Sequence, residues 1–120
     1  YIYQSMIMWK EKAFEHATKE QPLECCGLLV KDKGEIDYWP CRNVAFKHDV
    51  ANFVIEPDDW AICEDSVDEI IGIVHSHPEF NMEFSPADKA SCNALELRFY
   101  LVNPNTKSII YIDPEISNVN

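Results

Sequence analysis

The sequence predicts an α/β domain in which a mixed β-sheet is flanked by helices. Three observations predict it. Short apolar runs bounded by turn residues alternate with amphipathic stretches, the pattern of strands interleaved with helices. One run, Glu69–His75 (EIIGIVH), is apolar almost throughout and so reads as a central strand covered on both faces. The 120 residues suit one domain, typically ~100–150 residues, and no repeat or linker divides them.

Each element has its own local reason. Residues 2–19 read as a helix because Met6, Trp9, Ala13 and Ala17 recur at three- and four-residue steps, and Pro22 closes it. Residues 26–31 (CGLLVK) form a buried strand, Asp32-Lys33-Gly34 turns the chain, and Glu35–Cys41 returns. After a polar loop, residues 52–55 make a short strand. Pro57, followed by Asp58 and Asp59, opens a helix to about residue 67. The central strand follows, then a loop over residues 78–84. Ser85-Pro86-Ala87-Asp88 starts a third helix that reaches residue 95. Residues 98–102 and 108–112 close the sheet as two strands around an Asn-Pro-Asn turn.

Composition narrows the function. Forty-seven per cent of the residues are apolar, enough for a core. Ten basic against 21 acidic residues give a net charge of −11, which repels phosphate backbones and argues against nucleic acid as a partner. No stretch approaches the ~20 apolar residues of a membrane span, and the first residues do not have the pattern expected of a signal peptide. The chain starts at Tyr1, as expected of a piece cut from a longer protein. Five cysteines without a CxxC pair predict reduced thiols in a cytosolic setting, serving as small core residues. Adjacent Cys25 and Cys26 should point to opposite faces of the sheet.

The chemistry concentrates at the end of the central strand, in His75-Ser76-His77-Pro78. Side chains alternate along an extended chain, so His75 and His77 project from one face and can chelate one ion. Catalytic zinc usually takes three protein ligands and keeps a fourth position for water. Asp88, eleven residues after His77, is the candidate third ligand. Ser85 and Asp88 also have the spacing of a capping box, the commoner explanation when taken singly. Both roles fit together, because a cap also fixes the carboxylate. A proton shuttle is needed as well. Glu24, at the entry to the first strand, is the candidate by position, although sequence physics alone reads it as an exposed loop residue. Phe80, Met82 and Phe84 read as packing residues, Trp60 as core, and His16 and His48 as surface histidines.

His75-Ser76-His77, seven residues, Ser85, two residues, Asp88 resembles the full signature of the JAMM/MPN metallopeptidases. Glu24-Cys25-Cys26-Gly27-Leu28-Leu29 is similar to that family's glutamate-bearing segment. The resemblance implies that His75, His77 and Asp88 bind Zn2+, that Glu24 is the general base, and that Ser85 stabilises the oxyanion. It implies a peptide or isopeptide bond as the target, and a three-layer α/β/α fold related to the cytidine deaminase architecture. A narrower likeness spans Tyr38–Asn43, Phe53–Trp60 and the HSHP segment. These resemble the N-terminal domain of the lambda-type phage tail assembly proteins of the K group, which often continue into an NlpC-type cysteine peptidase domain. It implies phage tail proteins as partners and a cytoplasmic or virion-associated location.

Three functions stay open at this level. The first is an active zinc peptidase on a peptide or protein substrate: peptidoglycan-like peptides, a phage precursor protein and a ubiquitin-like tail are all compatible. The second is a tail-assembly scaffold that keeps its zinc. The third is a non-haem iron site, which two histidines and one carboxylate also describe.

Overall fold

A computed structural model describes the backbone of residues 2–45 and 53–115, with side chains from residue 8 onward. Helix α1 (Ile2–Glu20) precedes the hairpin β1 (Cys26–Asp32) and β2 (Glu35–Cys41). Lys33 and Gly34, which join the two strands, both have positive φ, 52° and 81°. Two left-handed residues match the twist of paired strands, and glycine adopts that geometry without penalty. Helix α2 (Pro57–Ser66), β3 (Glu69–His75), α3 (Pro86–Leu95), β4 (Arg98–Asn103) and β5 (Ser108–Ile112) complete the chain.

The five strands form one mixed sheet in the order β2-β1-β3-β4-β5, with β3 at its centre. β3 runs antiparallel to β1 and parallel to β4, so α3 is the crossover that the parallel pair requires. Side-chain alternation then builds two cores. On one face, Trp9, Ala13, Phe14 and Ala17 of α1 pack on Leu29, Tyr38, Val74 and Val102. On the other, Cys63 of α2 and Cys92 of α3 pack on Leu28, Val30, Ile73 and Phe99. This is the expected sheet between helical layers. Ile73 and Phe99 are fully buried, which stabilises the fold by ~1.5–3 kcal/mol each. Cys25 and Cys26 fall into opposite cores, as alternation demands, and all five cysteines are buried and free.

The structure corrects several expectations. The short strand expected over residues 52–55 is a single bridge between Asn43 and Ile55, with residue 52 outside the described residues. The reason is local: Asn43 Oδ1 accepts from Val54 N at 3.0 Å, so a side chain takes the place of a ladder partner. His16 is no surface residue. Its side chain is 13% exposed, with Nδ1 hydrogen-bonded to the buried Tyr38 hydroxyl. The loop before α3 contains a 3-10 turn (Pro78–Phe80), and Phe80 is buried in the α1 core. Trp60 is only partly buried against the second core. The Met6 side chain and His48 lie outside the described residues. No described helix is long and apolar enough to cross a membrane.

Candidate metal centre

β3 ends at His75, and His77 keeps an extended backbone (φ −104°, ψ 157°), so both imidazoles leave the same side of the chain. Each ring is oriented through its far nitrogen. His75 Nδ1 lies 2.9 Å from the Tyr100 carbonyl, which can only accept, so Nδ1 carries a proton and Nε2 is the nitrogen turned to the site. His77 Nδ1 lies 3.1 Å from Asn81 Oδ1. Phe53 packs against the His75 ring with centroids 4.9 Å apart. Such outer partners fix ring orientation at metal sites.

The intervening Ser76 points the opposite way and ties the neighbouring strand in place. Its Oγ accepts from Cys25 N at 3.0 Å, and its N–H donates to the Cys25 carbonyl at 3.2 Å. Glu24, one residue earlier, is thereby held beside the histidines, and Asn43 Nδ2 donates to the Glu24 carbonyl at 2.9 Å. Glu24 is 1% exposed, which overturns its reading as an exposed loop residue: pairing of the Cys25 backbone with Ser76 carries it inward. Glu24, His75 and His77 each place one ligand atom within 4.8 Å of the others, a group able to hold a metal ion.

Asp88 comes from the first turn of α3. Ser85 is the N-cap, and the capping box is complete: Ser85 Oγ accepts from Asp88 N at 3.1 Å and Asp88 Oδ2 accepts from Ser85 N at 2.9 Å. The same carboxylate reaches the histidines, with Oδ2 2.8 Å from His77 Nε2 and Oδ1 3.2 Å from His75 Nε2. Burial opposes ionisation of Asp88, but the two facing imidazoles of His75 and His77 and the hydrogen bond from the Ser85 backbone outweigh it and hold the carboxyl well below the usual range. Burial likewise opposes a charged His77, yet its bonds to Asp88 and Asn81 raise its pKa above the ordinary imidazole value.

These residues suit a divalent ion of the zinc type. Two imidazole nitrogens with carboxylate oxygens are its donor set. The fully buried His75 Nε2 makes no well-aligned hydrogen bond among the described residues. Two carboxylates, Glu24 and Asp88, are buried beside it, and buried carboxylates are costly without a facing cation. A cleft of about 290 Å³ opens in front, lined by Glu24, His77, Asn81, Glu83, Phe84 and Ser85. The Ser85 hydroxyl uses a lone pair in the cap, so its own hydrogen remains able to donate.

Sequence reasoning missed Asn43, Phe53 and Asn81. None carries a local signal, because each acts on a residue distant in sequence or across a turn.

Comparison with known proteins gives the family and the fold. Residues 8–112 match Prok-JAB, the prokaryotic homologs of the JAB domain. Tail tip assembly protein K of Escherichia phage N15 is 38% identical over 88 residues, which are 73% of this chain and 35% of that protein. The chain thus matches about a third of that relative's length. The solution structure of protein DSY2949 from Desulfitobacterium hafniense superposes with a TM-score of 0.67 at 20% identity, covering 86% of this chain and 76% of that one. At that identity the likeness carries the fold alone. With nearly all of its described elements inside the matched region, the chain belongs to the Prok-JAB family.

Proposed function

We propose that the chain is a zinc-dependent metallopeptidase that hydrolyses peptide or isopeptide bonds. His75, His77 and Asp88 hold the metal, Glu24 is the general base and Ser85 the oxyanion donor. The observation that carries this reading is the convergence of buried Glu24, His75, His77 and Asp88, of which Glu24 and His77 line an open cleft.

Bound there, zinc would supply a Lewis acid and lower the pKa of water to roughly 7. The chain's own residues do the rest. Glu24 takes a proton from the attacking water and returns it to the leaving amine. Ser85 donates its hydroxyl hydrogen to the carbonyl oxygen as negative charge develops there. Asn81 and Tyr100 keep the histidine rings turned toward the site.

The test is Glu24→Gln, assayed on a randomised peptide library read by mass spectrometry. Cleavage falls by about 10²–10⁴-fold with zinc content unchanged. Equal cleavage by the variant overturns the reading.

A second reading is favoured by the likeness to the tail tip assembly protein of phage N15. Here the domain is a virion-associated module that binds phage tail proteins and keeps zinc for stability. Chelation separates the two: loss of cleavage from a still-folded protein supports the enzyme, whereas an inert protein that unfolds on chelation supports the module. Iron in place of zinc, in protein purified without added metal, contradicts both.

A further inference from the structure

A second cleft, of about 310 Å³, meets the first at Glu24. Its character is different. The first cleft carries Asn81, Glu83 and Ser85, whereas the second has apolar walls of Phe53, Ile55, Trp60 and Leu95, with Glu24 and Asp88 at its inner end. The Trp60 Nε1–H donates to Glu64 Oε2 at 3.2 Å. At the rim, Val54 and Leu95 leave 52% and 47% of their surface exposed.

We propose that this cleft is the specificity subsite for a large apolar side chain, of leucine, methionine or phenylalanine size, on the residue adjoining the scissile bond. The proposal rests on the peptidase reading. Its volume lies at the lower end of the ~300–1,000 Å³ of ligand sites, room for one side chain rather than an extended ligand. Continuity with the metal centre selects the occupant. A peptide can offer backbone N–H groups toward Glu24 and Asp88 while its side chain meets the aromatic walls. A chain crossing Glu24 thus puts an apolar side chain on one side and polar or basic groups, facing Glu83, on the other.

Two measurements test it. On the peptide library, the unmodified protein prefers leucine, methionine or phenylalanine over glycine at one position beside the cut. Val54→Asp and Leu95→Asp, both at half-exposed positions, reduce that preference about 10- to 100-fold. In parallel, N-acetylphenylalaninamide is titrated into zinc-loaded Glu24→Gln protein while the Trp60 indole N–H resonance is followed. The resonance shifts, N-acetylglycinamide leaves it in place, and Leu95→Asp abolishes the shift. A library without apolar preference, or one unaltered in both Asp variants, overturns the subsite while leaving the peptidase intact. An indole resonance that ignores the phenylalanine compound overturns it as well. If nothing is cleaved yet that compound still shifts Trp60, the peptidase reading fails and the apolar cleft stands as a binding site.

Discussion

The Asp88 carboxylate and the His77 ring meet at 2.8 Å through the same oxygen that accepts the Ser85 backbone N–H. Cap and ligand position are one group. Folding of α3 therefore sets where the Asp88 carboxylate stands beside the two histidines of the proposed metal site.

This coupling makes two substitutions differ. Asp88→Asn keeps an oxygen for the Ser85 N–H but loses the charge, whereas Asp88→Ala loses both. Thermal unfolding of the metal-free proteins should show the alanine variant less stable by about 1 kcal/mol and the asparagine variant close to the parent. Equilibrium dialysis should show zinc affinity reduced at least tenfold in both. Equal affinity in the asparagine variant would exclude the carboxylate as a ligand.

Asn43 acts on Glu24 from outside the motif. Its amide donates to the Glu24 carbonyl and its oxygen accepts from Ala45 N and Val54 N at 3.0 Å each. Asn43→Ala is expected to cost about 1–3 kcal/mol, because these backbone groups lose partners. Turnover should fall while zinc content stays constant. Unchanged turnover would mean that Glu24 is held in place without the clamp.

The buried thiols predict a pH dependence. Burial pushes Cys25 and Cys63 up to about 11 and Cys41 up to about 12. Unfolded thiols titrate near ~8.5, so the unfolded chain loses these protons first. The stability that the neutral thiols contribute is complete below that pH and is lost as pH rises toward 11. Denaturant melts at pH 8 and pH 10 should show the drop. At pH 7.5 a thiol reagent should label the native protein slowly and the denatured protein at all five cysteines; fast native labelling at Cys25 would contradict the burial.

Gly27 is fixed by a close approach. A Cβ there would stand 2.5 Å from the Tyr38 ring and hydroxyl, and Tyr38 is held by the α1 core and by His16. Gly27→Ala should destabilise by about 1–3 kcal/mol through overpacking, and Tyr38→Leu in the same chain should recover part of it. Full stability of the single variant would mean that the ring moves aside freely.

The strands and helices were legible where local periodicity and turn chemistry agreed with the fold. Glu35–Cys41, Glu69–His75 and Ser108–Ile112 have the expected bounds. The His-x-His face and the capping box were readable because strand alternation and cap spacing act within a dozen residues. What failed was long-range. Glu24 is buried by backbone pairing of Cys25 with Ser76, 51 positions away, and His16 by Tyr38, 22 positions away. Neither partner leaves a trace in the flanking sequence. For Glu24, its position at the strand entry and the family resemblance pointed to the residue, and neither carried its burial.

The most direct test of the metal centre is a crystal of the zinc-loaded protein with anomalous scattering recorded at the zinc edge. One peak is predicted, ~2.0–2.2 Å from His75 Nε2, His77 Nε2 and an Asp88 oxygen, with Glu24 beside the remaining position. A protein that crystallises folded with no peak there, or with zinc held by other residues, would contradict it.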